Sequence, residues 1–296
     1  MKLLKEKKVI VITFTLSFTI LILFLLKPFY FENKTSVTMT YFPEDDQVSF
    51  SEKSTEIQLL ELKDENEYLL EWRYHSVTDS TVFFRKDISL LFENGSLLGI
   101  ETDSKQNTDK LNGVSSIHGE DSGRHEAITY HFAEIHYPND LIKSKFSISS
   151  NTLYVIDSSL SPILTFREAK NTMEKRSKEL LDSIIDQQLT YIWEGLMEEF
   201  QIDQRNYYLI PFNNIDYYVD QPLPSFSREK STEIIGKLWD GLYRTYISGI
   251  DTFNDSTYSP IGSSIPLILL HNEGGHLIIL FETADGTKQQ LLQHIE

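Results

Sequence analysis

Cysteine is absent from all 296 residues. Disulfides, zinc–thiolate sites, iron–sulfur clusters and cysteine nucleophiles are therefore excluded. Stability has to come from a packed core alone. Phosphate-cradling loops of the G-x-x-x-x-G-K or G-x-G-x-x-G kind are also missing, which argues against nucleotide chemistry. Gly95-Ser96-Leu97-Leu98-Gly99 has one residue too many for a G-x-S-x-G nucleophile elbow. Positive charge is scarce, with 27 Lys and Arg against 44 Asp and Glu and a formal net charge of −17. A surface this acidic repels phosphate backbones, so nucleic acid is not an expected partner.

What is present begins with a run of 18 residues, Val9 to Leu26, without charge, Gly or Pro. At about 1.5 Å per residue it is roughly 27 Å long as a helix, close to the hydrocarbon thickness of a bilayer. Lys2, Lys5, Lys7 and Lys8 precede it and only Lys27 follows closely, so the N-terminus is expected in the cytoplasm and the remainder outside. Leu25 to Phe31 offers no small residues for a signal peptidase, which favours a retained anchor. Phe29, Tyr30 and Phe31 suit the membrane interface. Residues 1–27 hold five Lys and one Glu, so 22 basic and 43 acidic residues remain beyond them, a net charge near −21.

This organisation predicts a cytoplasmic tail (1–8), a transmembrane anchor (9–26), a tether (27–54), an antiparallel β domain (55–160) and an α+β domain (161–296). Candidate strands are Glu56–Leu62, Tyr68–Val77, Val82–Phe92, Leu97–Glu101, Ala127–Tyr137 and Phe146–Asp157, all rich in β-branched and aromatic residues. Asn94-Gly95 predicts a hairpin turn. The polar stretch Asp103 to Arg124, with three glycines, reads as a loop.

Beyond Pro162 the apolar period becomes helical. Thr165-Phe166-Arg167-Glu168 has capping-box spacing. Leu180, Leu181, Ile184, Ile185, Leu189, Ile192, Trp193, Leu196, Met197 and Phe200 then read as one wide apolar stripe on a long helix. A second helix carries Ile234, Ile235, Leu238, Trp239, Leu242, Tyr246, Ile247 and Ile250, with Gly249 near its end. Three closing strands, Ile265–His271, His276–Glu282 and Lys288–His294, form a meander. Its first two strands are apolar on both faces and need cover on both sides. The fold class expected is α+β: an N-terminal transmembrane helix, an antiparallel β domain, two amphipathic helices and a three-stranded antiparallel meander.

The best candidate metal site is His271, Glu273 and His276. A turn over 272–275 would oppose the two imidazoles across a ladder, with Glu273 as third ligand or base. Polar residues at the base of a turn explain the same pattern, and no metal is expected. His125 and His131 share a strand face but lie about 20 Å apart along it. His136 points the other way, so these three are not expected to share an ion. Tyr207, Tyr208, Tyr217 and Tyr218 are candidates for a stacking groove, or for half-buried core. No cofactor is expected.

Without a catalytic signature, the expected function is a single-pass, membrane-anchored extracytoplasmic module. It would contact the bilayer through residues 9–26 and bind a membrane or envelope protein without catalysing a reaction. The alternative is an envelope hydrolase using carboxylates, or a metal at the 271–276 hairpin.

Overall fold

The computed structural model describes residues 39–62, 67–158, 161–251 and 257–295. The tail, the anchor and the first part of the tether lie outside them. Residues 39–296 belong to one compact unit, built mostly from antiparallel β sheet with a few helices.

The larger sheet has six strands: β1 (Phe50–Leu62), β2 (Tyr68–Glu93), β3 (Ser96–Gly119), β4 (Gly123–Tyr137), β5 (Leu141–Ser158) and β6 (Ser161–Phe166). Two predicted strands, 68–77 and 82–92, are halves of the single 26-residue β2. They flank Asp79, Ser80 and Thr81, which are exposed where the β2–β3 register slips between Val77 and Val82. Asn107, opposite that slip, takes φ +50°.

The polar stretch expected as a loop from Asp103 is instead mostly strand, pairing with β2 as far as Gly119. Its polarity reflects an edge strand facing solvent: backbone bonds to β2 hold it, so its side chains need no core. Charges such as Asp103, Lys105 and Lys110 along an edge also discourage pairing with another chain.

The β2–β3 turn is Asn94-Gly95, with φ +49° and +87°. Both central residues are left-handed, as a tight type I′ hairpin requires. Gly95 also lies where an added Cβ would sit 3.0 Å from Leu189.

The first long helix, α1, spans Thr172–Glu199. Its cap is Asn171, whose Oδ1 accepts the Glu174 N–H at 3.0 Å, while Glu174 accepts the Lys170 N–H. The capping box thus falls six residues later than Thr165 suggested. Thr165 and Phe166 pair with β5 as the end of β6, because Phe166 stacks on Tyr154 at 5.3 Å.

Strand β7 (Tyr207–Pro211), a short helix α2 (Tyr217–Asp220) and helix α3 (Arg228–Leu242) follow. Helix α3 runs into a π-helical turn over Tyr243–Ile247. After a two-stranded ribbon, β8 (Ile250–Asp251) with β9 (Thr257–Tyr258), come β10 (Leu267–His271), β11 (His276–Glu282) and β12 (Lys288–His294). The meander gains β7 as a fourth strand, in the order β12-β11-β10-β7.

Its two apolar faces are covered by different helices. Leu267, Leu269, Ile278 and Leu280 pack with Leu196 and Met197 of α1. Ile268, Leu270, Ile279 and Phe281 belong to the core that contains Ile234, Leu238 and Trp239 of α3. That core continues into the larger sheet, where Trp239 stacks on Tyr130 of β4 at 4.8 Å.

Residues 39–49, which include Glu44, Asp45 and Asp46, are packed on this unit. Met39 is buried, and Asp45 is buried with its backbone N–H on the Ser144 carbonyl at 2.8 Å. The Tyr41 ring lies over Gly236 of α3, where an added Cβ would meet it at 2.2 Å. Replacing a helical glycine by alanine ordinarily gains up to about 1 kcal/mol. Here overpacking wins, and Gly236→Ala should lower stability by about 1–3 kcal/mol. In a Tyr41→Ala background the same substitution should turn neutral or stabilising. Urea unfolding of the four proteins in this double-mutant cycle measures it.

Candidate functional site

The largest sheet is curled, and its inner surface is unusual. Along the second half of β2, Phe84, Ile88, Leu90 and Phe92 point into the apolar core. The alternate positions Arg85, Asp87 and Ser89 are polar, yet fully buried. They are buried because β2 doubles back on itself. Trp72 Nε1 donates to Ser89 Oγ at 3.0 Å, Ser76 Oγ donates to Asp87 Oδ2 at 2.7 Å, and Arg85 Nη1 donates to Thr78 Oγ1 at 3.1 Å. Each pair joins the two halves of one strand. Burial pulls the Arg85 guanidinium below its ordinary value, against the attraction of Asp87.

Inside this fold lies a hydrogen-bonded Asp–His–Ser series. Asp87 is the cross-strand partner of His131. Its Oδ2 lies 2.9 Å from His131 Nδ1, and His131 Nε2 lies 2.8 Å from Ser149 Oγ. A carboxylate on Nδ1 and a hydroxyl on Nε2 is the arrangement that activates a serine in hydrolases. The surroundings oppose that chemistry. Asp87 and His131 have no exposed surface. Thr55 of β1 places its Oγ1 2.6 Å from Ser149 Oγ and donates to Thr129 at 2.7 Å. The Ser149 hydroxyl, on a half-buried residue, is thus held between His131 and Thr55. The series is the hydrogen-bonded seam between β1 and the strands beneath it.

The other histidines of β4 are separate, as their strand positions dictate. His125 lies against Tyr68, 3.2 Å from its hydroxyl, and near Glu93 at 3.6 Å. Burial pushes its imidazole down to about 4. Desolvation therefore outweighs the carboxylate, and burial pushes the Glu93 carboxyl up in turn. His136 stacks on Phe83 at 3.7 Å.

At the end of the smaller sheet, Tyr207, His271, His276 and His294 occupy one row across four strands. The His271 and His276 rings are 4.8 Å apart. Tyr207 Oη bonds His276 Nε2 at 3.0 Å. Glu273 is exposed in the turn, and its backbone N–H donates to His271 Nδ1 at 3.3 Å. The structure thus brings together His271 and His276, with Tyr207 rather than the Glu273 carboxylate beside them. Among the described residues no group of three His, Asp or Glu is placed to hold a metal. Burial, then the charges of His271 and His294, lowers the His276 pKa.

The tyrosines divide. Tyr207 belongs to the histidine row. Tyr217 and Tyr218 meet edge-to-face at 5.2 Å and, with Leu209 and Pro211, line a depression of about 340 Å³. Tyr208 is half-exposed, its hydroxyl 3.5 Å from Ser225 Oγ.

A second groove, about 350 Å³, opens between the 44–53 segment, β5 and the start of α3. Lys53, Lys145 and Arg228 line it together with Glu44, Asp46, Asp220 and Glu229. Lys145 Nζ bonds Glu44 at 2.6 Å, and Lys53 bonds Ser147. Phe50 forms part of the lining, and its ring lies 4.8 Å from the Arg85 guanidinium carbon and 6.1 Å from the His131 ring. Sequence reasoning missed both this groove and the Asp87–His131–Ser149 series, because their members come from segments far apart in the chain. The polar alternation Arg85-x-Asp87-x-Ser89 in an otherwise apolar strand was the available signal.

Comparison with family models, curated proteins and solved structures returned no match. Among the described residues no helix is long and apolar enough to cross a membrane, and the expected span at 9–26 lies outside them.

Two outcomes follow from the buried groups. Ser149→Ala should cost about 1–3 kcal/mol by stranding buried partners, and a fluorophosphonate probe should leave the wild-type chain unlabelled. Labelling at Ser149 would establish an open nucleophile instead. For His125, the unfolded chain takes a proton near 6.5 and the folded chain only near 4. The unfolded state therefore binds more protons in that window, and stability falls as pH drops through it. The contribution is about 3 kcal/mol at most. His125→Gln should flatten the dependence of the urea midpoint on pH between 7 and 4, relative to wild type.

Proposed function

We propose that the chain is a non-catalytic binding module, tethered to the cell membrane by residues 9–26, with the rest of the chain outside the membrane. It engages a protein or other component of the cell envelope. The observation that carries this reading is a contrast in accessibility. Among the described residues, the arrangement with the geometry of a hydrolytic centre has its Asp87 and His131 fully buried and its half-buried Ser149 hydroxyl engaged by Thr55 of β1. The mixed-charge groove beside it, about 350 Å³, is open to solvent.

Lys53, Lys145 and Arg228 line that groove together with Glu44, Asp46, Asp220 and Glu229, and Lys145 is paired with Glu44. Opposed charges at a rim select partners and orient them more than they add affinity. A partner presenting both signs, such as a protein surface, satisfies both sets. The high negative charge of the chain keeps the module away from anionic lipid and nucleic acid.

The second reading is an envelope hydrolase that uses carboxylates, or a metal at the 271–276 hairpin. The 4.8 Å approach of the His271 and His276 rings favours it. Elemental analysis of the purified chain separates the two, since stoichiometric zinc or manganese would replace the binding reading.

Capture of envelope proteins by the full chain is the direct test. The Lys145→Glu/Arg228→Glu double variant should lose a captured partner, with about a tenfold or greater drop in affinity. Leu292→Ser, on the exposed face of the edge strand β12, should retain it. Failure to capture any specific partner, or equal capture by the charge-reversed variant, would remove the groove from the account.

A further inference from the structure

Helix α1 has a second apolar line, on the side away from its core. Met173, Leu180, Ile184 and Tyr191 are 54%, 62%, 53% and 79% exposed. At about 100° per residue these four fall within roughly 20° of one line along the helix. The core residues Ile185, Leu189 and Leu196 lie well around the cylinder from them. Single exposed apolar side chains are ordinary on a protein surface. Four large ones in register on one helix, over about 27 Å, mark a contact face.

The spacing of the line says what fits it. Positions 173, 180, 184 and 191 are symmetric about residue 182. Laid antiparallel on a second copy of itself, with a two-fold axis passing the apolar line at the height of residue 182, the helix sets Leu180 opposite Ile184 and Met173 opposite Tyr191. The charges follow the same symmetry. Lys170 and Arg176 lie exposed at the N-terminal end on the side of the line, and Glu194 and Glu198 lie exposed beside it at the C-terminal end. The two-fold brings Lys170 opposite Glu194 and each basic end beside an acidic one. A parallel pair would set basic on basic and acidic on acidic, which is destabilising. Antiparallel alignment also opposes the two helix dipoles.

We propose that α1 is a homodimerisation surface. Two copies of the chain pair through Met173, Leu180, Ile184 and Tyr191 in an antiparallel, two-fold arrangement. An isologous contact of this kind closes on itself and needs only one patch. One helix face is small beside a standard interface, so the dimer is a weak one that dissociates on dilution.

Sedimentation of the full chain in mild detergent, across a concentration series, should show a reversible monomer–dimer equilibrium. Leu180→Glu should abolish the dimer while leaving far-UV circular dichroism unchanged, and Tm unchanged at dilutions where the wild-type chain is monomeric, because the site is exposed in the folded monomer. Orientation is tested by cross-linking, which the absence of native cysteine makes unambiguous. Leu180→Cys and Ile184→Cys proteins, mixed and gently oxidised, should give disulfide dimers containing one of each. Either variant oxidised alone should give few. A chain that stays monomeric throughout, an association state unmoved by Leu180→Glu, or homotypic disulfides as abundant as mixed ones would each overturn the proposal.

Discussion

The contact on which the structure depends is that of β2 with itself. Arg85 and Asp87 are charged groups with no exposed surface. Leaving either unpaired in a low-dielectric interior would cost several kcal/mol. The first half of β2 supplies what they need: Ser76 donates to Asp87, and Thr78 accepts from Arg85. His131 Nδ1 reaches the same Asp87 oxygen, Oδ2, while Oδ1 accepts no hydrogen bond and faces the Arg85 guanidinium at 3.8 Å. The same doubling closes β1 over Ser149 and Thr129 through Thr55. A polar interior of this kind stabilises less than an apolar one would. It does specify one register, because a slip of one residue would turn Arg85 and Asp87 to the opposite face of the strand.

The outer face of the same half-strand then becomes available to the helices. Phe84, Ile88, Leu90 and Phe92 form one wall of a core completed by α3 and the smaller sheet. Trp239 lies in the middle, 4.8 Å from the Tyr130 ring and 5.2 Å from Phe212. Strand β2 therefore serves two interiors at once: an apolar one, and one whose polar part at Arg85, Asp87 and Ser89 gives way to an apolar cluster at Leu91, Trp72 and Ala127. The surface groove arises where these interiors end. Its walls are the 44–53 segment held by Asp45 and Ser144, and the start of α3 beneath Tyr41. Asp45 is fastened by hydrogen bonds that, against the opposing effect of burial, hold its carboxyl below the ordinary value. The bonds come from Tyr137 and from the Val48 and Gln47 N–H groups.

Residue patterns with a local cause were legible. The Asn94-Gly95 turn, the strand periodicity of β1, β4 and β5, and the two-sided apolar character of β10 and β11 each reflect interactions within a few residues. So does the opposition of His271 and His276, which follows from the length of the turn between them. Other readings failed where a distant partner decided. Residues 103–119 look like a loop until β2 is placed beside them. Thr165 looks like a helix cap until Tyr154 claims Phe166 for the sheet. Leu180 and Ile184 belong to the same apolar count as Leu181 and Ile185. Which of these neighbours is buried depends on where the sheets lie.

By itself the sequence determined what chemistry is available: no thiols, a strongly acidic chain, an apolar run near the start, and strand and helix periods set by side-chain spacing. These follow from composition and from interactions within a turn or two. Tertiary structure alone decided which polar residues are sealed and which are open. Asp87, His131 and Ser149 come from three strands, and no local rule distinguishes a reactive serine from one capped by Thr55. The groove and the exposed line on α1 are likewise products of packing, because burial is settled only when every element has its neighbours.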